Sequence, residues 1–150
     1  MSNYVMVTGA SSGIGKAAAE TLADEGFTVI ACALTEQEAA AMRTAEKNGI
    51  VPVVLDITKM ESIDAAMATA AQTMGSGGKL HGIVNCAGVD INAPLHVLEH
   101  AEIMQMINVN YVGGIMLTRA ALPLLQHASA RIVFISSAMA LLRTPMISIY

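Results

Sequence analysis

The fold of this protein is decided by one short stretch, Thr8-Gly9-Ala10-Ser11-Ser12-Gly13-Ile14-Gly15. The apolar run at residues 4–7 precedes it and predicts a strand, and the alanine-rich run that follows predicts a helix to about residue 25. Glycines let a backbone approach a ligand closely, and a helix N-terminus offers free N–H groups and the positive end of the helix dipole. A glycine loop between the first strand and the first helix therefore predicts a site for a phosphate-bearing ligand.

The rest of the chain repeats this order of strand and helix. Short β-branched runs predict four more strands, at residues 27–32, 50–55, 80–85 and 131–136. Capping boxes, formed by Thr35 with Glu38 and by Thr58 with Glu61, predict helices that end near residues 47 and 74. A further helical stretch runs from about residue 101 to 126. Strands joined by helical crossovers predict one α/β domain over residues 1–150, a doubly wound, three-layer αβα sheet of the Rossmann type with strand order 3-2-1-4-5.

Composition and charge exclude several classes of protein. Apolar residues make up 54% and charged residues 13% of the chain, which excludes a disordered or fibrous protein. The net charge of −4, with scattered basic residues, argues against nucleic acid as a partner. The mean hydropathy of +0.55 indicates buried strands and no membrane span, because no apolar run approaches the roughly 20 residues that a span needs.

The cysteines and histidines match no metal-ligand pattern, so no metal site is expected. Cys32 and Cys86 lie inside apolar runs and are predicted to be buried free thiols, as in a reducing compartment. No basic, apolar leader precedes the first strand, so we expect a cytoplasmic protein. The histidines are predicted to be surface or loop residues: His81, His96, His100 and His127.

Several segments, taken in chain order, resemble one known family. The loop spacing is Gly-x-x-x-Gly-x-Gly, and Asp56 closes the third strand. Asn85-Cys86-Ala87-Gly88 ends the fourth strand, and Asn110 lies in the long helical stretch. Ser137 follows the fifth strand, and Tyr150 comes thirteen residues later. Together these segments resemble the short-chain dehydrogenase/reductase family over the whole chain.

The resemblance implies an oxidoreductase that uses NAD or NADP to interconvert an alcohol and a carbonyl by hydride transfer. It further implies that Tyr150 is the acid/base, that Ser137 hydrogen-bonds the substrate oxygen and that Asn110 holds a water molecule in a proton relay. Because a phenol with a pKa near 10 is a poor base at neutral pH, positive charge nearby must lower that pKa. The resemblance assigns these residues to the cofactor: Gly9, Ser11, Ser12, Ile14, Gly15, Asp56, Ile57, Asn85, Ala87 and Gly88.

Two of the catalytic assignments have close alternatives in the sequence. Ser136 is adjacent to Ser137, and only the spacing to Tyr150 favours the second serine. Asn108 lies two residues before Asn110 in the same helical stretch.

The wall of the predicted cofactor site contains two positions that need separate interpretation, Asp56 and Cys86. By resemblance, Asp56 meets the adenine amino group; the alternative is that it caps the next helix, although Thr58 is better placed to do so. Cys86 stands where the family has a second asparagine, and a thiol is a weaker hydrogen-bond partner. We therefore expect one contact fewer, with Asn85 retained.

The choice between NAD and NADP depends on the end of the second strand. An acidic residue there would bind the ribose hydroxyls of NAD, and a basic residue would favour NADP. Cys32-Ala33-Leu34 provides neither. Lys16 lies inside the first helix and Arg43 lies too far along the second, so the 2′-phosphate of NADP has no evident partner. We therefore predict NAD, with NADP as the alternative.

Residues 26–36 and 122–125 resemble the branch of retinol and hydroxysteroid dehydrogenases in particular. This resemblance implies a small alcohol or ketone substrate and hints at a lipophilic skeleton. Members of the family pair through the long helix, which implies a homo-oligomer for the full-length form. We expect the apolar face of that helix to be partly exposed here: Met104, Ile107, Tyr111 and Ile115.

The last residue of the chain is Tyr150, whereas the family has a lysine four residues after its tyrosine. The run at residues 132–135 has no polar alternation, so it needs cover on both faces and would otherwise be an exposed apolar edge. We expect an incomplete piece of a longer enzyme, inactive by itself. The alternatives are a non-catalytic dinucleotide-binding module and an epimerase or dehydratase of the extended relatives, the latter disfavoured by the loop spacing.

Overall fold

Five parallel strands form the sheet in the part of the chain that the structure, a computed structural model, describes, namely residues 3–45, 47–76, 78–125, 129–142, 145–147 and 149. The strands are β1 (Tyr4–Val7), β2 (Thr28–Ala33), β3 (Ile50–Val54), β4 (Leu80–Asn85) and β5 (Arg131–Phe134). Their order is β3-β2-β1-β4-β5, and every neighbouring pair is parallel. The predicted strand order and the doubly wound topology are confirmed.

Helices cover both faces of the sheet and make the predicted three layers. They are α1 (Gly13–Asp24), α2 (Glu36–Thr44), α3 (Met60–Met74), α4 (His100–Ile107) and α5 (Gly114–Ala121). Successive side chains of a strand point to opposite faces, so β1 serves two cores. Val5 and Val7 belong to the apolar cluster that includes Ala19 of α1, whereas Met6 belongs to the cluster that includes Ile63 of α3 and Leu117 of α5.

Several predicted boundaries are corrected by the structure, among them the end of the third strand, which lies at Val54 and not at residue 55. The second strand is shifted by one residue, to Thr28–Ala33, and α2 ends at Thr44 and not near residue 47. The fifth strand ends at Phe134, not at residue 136. Ile135 N still donates to Asn85 O at 2.9 Å, but the chain then leaves the sheet for a 3-10 turn at Ala138–Ala140.

The first predicted capping box is confirmed and the second is wrong. At the start of α2, Thr35 Oγ1 accepts from Glu38 N at 3.2 Å and the Glu38 carboxylate accepts from Thr35 N at 3.0 Å. Thr58 makes no such cap, because α3 begins one residue later than the box requires; the Thr58 hydroxyl instead donates to Asp56 Oδ1 at 2.6 Å. The N-cap of α3 is Lys59, whose side chain makes no cap hydrogen bond.

The predicted long helix exists, but its hydrogen bonding changes in the middle and its α-helical part ends at Ala121, before a 3-10 turn at Leu122–Leu124, and not near residue 126. α4 continues into a π-helical segment, Asn108–Gly113, which continues into α5. The two glycines at this junction allow the close packing that the sequence suggested: a Cβ on Gly113 would lie 2.8 Å from Ile57 Cγ2, and one on Gly114 would lie 2.9 Å from Phe134 Cε1. Within the described residues, no helix is long and apolar enough to cross a bilayer.

Two apolar surfaces are exposed, as the sequence predicted. β5 pairs only with β4 among the described residues, and each of its side chains is exposed. The exposed residues that follow the predicted helix face are Met104, Ile107, Tyr111 and Ile115.

The cysteines and histidines depart in part from expectation. Cys32 is buried as predicted, but Cys86 is only half-buried because it faces a cleft. His81 is a half-buried residue of β4 and not a loop residue, while His96 and His100 are exposed. His127 lies outside the described residues.

Candidate functional site

A cleft of about 910 Å³ lies at the carboxyl ends of the strands. Parallel α/β sheets bind ligands at this edge, where the strand order reverses direction. In this sheet the reversal lies between β1 and β4, where the chain passes from the β1-β2-β3 half to the β4-β5 half. The cleft brings together most of the predicted site residues: Gly9, Ser11, Ser12, Ile14, Gly15, Asp56, Ile57, Ala87, Gly88, Asn110 and Ser137.

The glycine loop folds tightly over the start of α1. Gly9 has a φ of +63°, which favours glycine, and a Cβ there would lie 3.0 Å from Ala87 Cα. A Cβ on Gly15 would overlap the carbonyl oxygen of Gly9. The family-type spacing is thus a steric requirement of this loop.

The first turn of α1 leaves its N–H groups available. The first intrahelical hydrogen bond runs from Lys16 N to Ser12 O at 3.0 Å, so Gly13, Ile14 and Gly15 have no intrahelical acceptor. Ser12, the N-cap, makes no side-chain cap hydrogen bond, and the first turn holds no acidic residue. This helix start can therefore bind an anion, and the side chain of Ile14, 65% exposed, lies in the cleft beside it.

Thr8 joins the two central strands below the loop, a role that the sequence analysis missed. Its hydroxyl accepts hydrogen bonds from Cys86 N and Ala87 N, both at 2.9 Å, and its side chain is buried. These bonds hold the end of β4 against the end of β1, so they fix the floor of the cleft. The position of Thr8, immediately before the first glycine of the loop and at the end of the first strand, was the sequence feature that could have predicted this role.

The segment after β4 contributes the cleft wall, with one exception. Cys86, Ala87 and Gly88 line the cleft, whereas Asn85 lies buried and its Nδ2 donates to Thr118 Oγ1 at 3.2 Å. Burial raises the pKa of the Cys86 thiol, so that thiol is neutral at physiological pH.

Asp56 closes the turn after β3 instead of capping α3. Its Oδ1 accepts from Thr58 N at 3.1 Å and its Oδ2 pairs with Lys59 Nζ at 2.8 Å, while its own N–H donates to Ser62 Oγ at 2.9 Å. The bond to Lys59, followed by the bonds from Thr58, lowers the pKa of the Asp56 carboxyl. Asp56 therefore remains an anion at the rim of the cleft.

Asn110 is positioned by the π-helical segment. Its Oδ1 accepts from Val89 N and its Nδ2 donates to Val89 O, both at 2.8 Å. Asn108, the alternative residue, makes no side-chain hydrogen bond within the described residues and does not line the cleft. The geometry thus identifies Asn110, and not Asn108, as the asparagine of the cleft, a choice that the sequence spacing alone did not make.

Both candidate serines line the cleft, next to the 3-10 turn. Ser137 Oγ accepts from Met139 N at 3.2 Å, which fixes the orientation of the serine side chain. Ser136 is exposed in the same wall. Tyr150 lies outside the described residues.

Glu38 is a second residue that the sequence analysis treated only as part of a helix cap. Its Oε1 accepts from Ser11 Oγ at 3.2 Å, across 27 positions of the chain, and its Oε2 accepts from Thr35 N. The Thr35 backbone bond, followed by the bonds from the hydroxyls of Thr35 and Ser11, lowers the pKa of the Glu38 carboxyl. A fixed anion therefore touches the glycine loop.

Comparison with known proteins identifies the family to which this cleft belongs. A family model described as short chain dehydrogenase matches residues 3–150. This chain belongs to the short-chain dehydrogenase family. The predicted family and fold are confirmed.

Members of the short-chain dehydrogenase family named for retinol and for a hydroxysteroid are similar to this chain. Retinol dehydrogenase 7 of Mus musculus is 38% identical over 136 residues, which are 91% of this chain and 43% of that protein. 17-beta-hydroxysteroid dehydrogenase type 6 of Homo sapiens is 40% identical over 135 residues, 89% of this chain and 42% of that protein. The chain therefore spans less than half the length of these relatives, and the predicted branch is confirmed.

A solved structure of the same family shows the same fold. The crystal structure of a short-chain dehydrogenase from Streptomyces avermitilis matches with a TM-score of 0.86 and 30% sequence identity. The match covers 100% of this chain and 54% of that one.

The cleft fits the dinucleotide that the family binds. The free N–H groups of the first turn of α1 suit a pyrophosphate, and Gly9 and Gly15 bring the loop backbone close without side chains in the way. Among the described residues, no group of three His, Cys, Asp or Glu side chains is placed to hold a metal ion.

Proposed function

We propose that this chain is the dinucleotide-binding part of an NAD-dependent oxidoreductase that interconverts an alcohol and a carbonyl. The observation that carries the proposal is the single cleft in which the glycine loop, Asp56, Asn110 and Ser137 all take part. The membership of the chain in the short-chain dehydrogenase family supports it.

The residues of the cleft divide by the part of the dinucleotide that each would hold. The pyrophosphate would lie on the first turn of α1, and Asp56 would meet the adenine amino group at the far rim. Gly9, Ser11, Ser12, Ile14, Gly15, Ile57, Ala87 and Gly88 would enclose the dinucleotide. When bound, the nicotinamide would supply the site that accepts or donates the hydride.

The substrate oxygen would be held at the Ser137 end of the cleft. A hydroxyl whose orientation is fixed by the Met139 N–H can donate to that oxygen, and Tyr150 would exchange the proton with it. At neutral pH a phenol with a pKa near 10 is protonated and cannot accept the alcohol proton, so a positive charge near Tyr150 is needed to lower the pKa of that phenol. Asn110 would hold a water molecule that connects this proton to solvent.

The substrate is proposed to be a small alcohol or ketone on a lipophilic skeleton. The printed names of the similar relatives, a retinol dehydrogenase and a hydroxysteroid dehydrogenase, support this class. The exposed apolar residues of α4, the π-helical segment and α5 support a homo-oligomer for the whole protein: Met104, Ile107, Tyr111 and Ile115.

The test begins with binding and then proceeds to turnover. NADH fluorescence titration of the 150-residue chain should give saturable binding that 5′-AMP displaces. Retinol and a 17β-hydroxysteroid should then be oxidised with NAD by the full product of the coding region, and Tyr150→Phe should abolish this oxidation while preserving NADH binding. Saturable binding without any alcohol oxidation would favour the non-catalytic module, and no binding would overturn both functions.

A further inference from the structure

The end of β2, where dinucleotide folds read the adenosine ribose, carries no charge of its own in this chain. β2 ends at Ala33, and the next residue, Leu34, is an exposed apolar side chain that lines the cleft. In many such folds an acidic residue about 20 positions after the glycine loop binds the ribose hydroxyls. The strand end cannot supply that group here.

A carboxylate reaches this region from the first turn of α2. Glu38 is turned back toward the strand end by its capping box with Thr35, and its other oxygen accepts from Ser11 Oγ at 3.2 Å. Ser11 and Leu34 both line the cleft, whereas Glu38 lies behind that lining and reaches it through the hydrogen bond from Ser11. The Glu38 carboxylate accepts hydrogen bonds from Thr35 N, Thr35 Oγ1 and Ser11 Oγ, and these bonds hold the charge in one place.

No cation in the described part of the chain neutralises this carboxylate. Arg43 pairs with Glu36, Lys47 pairs with Asp24 and Lys59 pairs with Asp56. The negative charge at the loop is therefore uncompensated by a salt bridge.

We propose that Glu38 determines nucleotide specificity by placing a fixed negative charge beside Ser11, so that the chain binds NAD(H) in preference to NADP(H). The inference rests on the proposed dinucleotide function. A 2′-phosphate carries close to two negative charges and would be repelled at this position, whereas a 2′-hydroxyl can donate to a carboxylate. Glu38, which lies on α2, thus discriminates between NAD(H) and NADP(H), a role for which the end of β2 has no charged residue.

The test measures affinity and requires no turnover. NADH and NADPH are titrated by fluorescence, and 5′-AMP and 2′,5′-ADP by calorimetry, against the wild-type chain and Glu38→Gln. Glutamine retains an oxygen for the Thr35 N–H but removes the charge. We expect the wild-type chain to bind NADH at least tenfold more tightly than NADPH, and Glu38→Gln to reduce this ratio about tenfold, mainly through tighter NADPH binding.

Glu36→Gln is the matched control, because it removes the same charge from the same helical turn at a residue that pairs with Arg43 and has no hydrogen bond to Ser11. Its NADH to NADPH ratio should equal that of the wild-type chain. Glu38→Lys provides a second variant and should invert the preference, which keeps the test valid if Glu38→Gln folds poorly.

The outcomes distinguish the two proposals. If the wild-type chain binds NADH and both Glu38 variants leave the ratio unchanged, the role of Glu38 is overturned while the dinucleotide function stands. A wild-type preference for NADPH, or an equal shift in Glu36→Gln, also overturns it. If the wild-type chain binds neither dinucleotide nor 5′-AMP, the proposed function fails and the specificity role fails with it.

Discussion

The side-chain amide of Asn110 forms two hydrogen bonds with the backbone of Val89, one accepted from Val89 N and one donated to Val89 O, both at 2.8 Å. This pair connects the π-helical segment to the loop after β4, although 21 positions separate the two residues in the chain. The donor and the acceptor of the Asn110 amide are thereby matched to the backbone N–H and C=O of one residue, Val89. The wall of the cleft is held in place by this contact.

Asn110→Ala should loosen the loop after β4. Loss of two partly exposed hydrogen bonds should lower the free energy of unfolding by about 1–2 kcal/mol and increase the exchange rate of the Val89 amide hydrogen. Denaturant unfolding and hydrogen exchange measure the two effects. Asn108→Ala, two residues earlier in the same segment, is the control and should leave the exchange rate of the Val89 amide hydrogen unchanged. Equal effects of the two variants would contradict a stabilising role for the Asn110–Val89 hydrogen bonds.

Thr8→Val should destabilise the floor of the cleft. Valine has the same shape as threonine but removes the acceptor for Cys86 N and Ala87 N, at a residue that is 1% exposed. Leaving the two partly buried N–H groups without that acceptor should lower the free energy of unfolding by about 1–3 kcal/mol. Thr8→Ser retains the hydroxyl and should lose about 1 kcal/mol or less. If urea denaturation gave the same loss for both variants, the hydroxyl would not be the stabilising group.

Alanine substitutions within the glycine loop should separate steric overlap from backbone strain. Gly15→Ala places a Cβ against the Gly9 carbonyl and 3.0 Å from Thr8 O, so the loop backbone has to move. We expect a loss of about 3 kcal/mol or more. Gly13→Ala meets no atom within 4 Å but retains a φ of +52°, so about 1 kcal/mol of strain is expected. Thermal or urea unfolding that ranked Gly13→Ala as the more damaging change would be evidence against this loop geometry.

The turn at Asp56 should make stability depend on pH in the acid range. Lys59 and Thr58 lower the pKa of Asp56 in the folded state. A carboxyl with a lowered folded pKa contributes stability above its unfolded pKa, about 3.9, and loses that contribution as pH falls through the folded value. Asp56→Asn should therefore reduce the free energy of unfolding by about 1 kcal/mol at pH 7, since solvent around the exposed Lys59 screens the pair, and by much less near pH 3.

Asp64→Asn is the control for that measurement, because Asp64 is an exposed residue of α3 for which no salt bridge is formed among the described residues. For Asp64→Asn, urea denaturation at several pH values should show a difference in free energy of unfolding from the wild-type chain that does not shrink toward pH 3. If the difference in free energy of unfolding between the wild-type chain and Asp56→Asn stayed constant from pH 7 to pH 3, the stabilising role of the ionised Asp56 carboxylate would be contradicted.

The two thiols should differ in reactivity in the folded protein. Burial raises the pKa of Cys32 to about 12 and also raises that of Cys86, but Cys86 faces the cleft and is half-buried. A thiol reagent at pH 8 should therefore label one cysteine per folded chain, slowly, and both in urea. NADH should slow the labelling of Cys86. Cys86→Ser should abolish labelling of the folded chain, and persistent labelling in that variant would show that Cys32 is accessible.

Much of the fold was predictable because the patterns that specify it are local. The alternation of β-branched runs with alanine-rich runs predicted each strand and its order in the sheet, and the capping box of Thr35 and Glu38 predicted the start of α2. The capping box of Thr58 and Glu61 was wrong because Asp56 and Thr58 form a local turn and α3 begins one residue later, with Lys59 as its N-cap. Short polar side chains have several local partners, and a sequence pattern does not rank them.

The sequence by itself determined the strand–loop–helix unit at Thr8–Gly15 and hence the family, because a tight turn, a free helix start and a buried strand impose residue types at fixed spacings. Only the tertiary structure decided which residues meet across long chain distances. It joined Glu38 to Ser11, Thr8 to Cys86 and Asn110 to Val89, and it buried Asn85 below the cleft that it was expected to line. Such contacts depend on how the helices pack on the sheet, and that packing leaves no periodic signal in the chain.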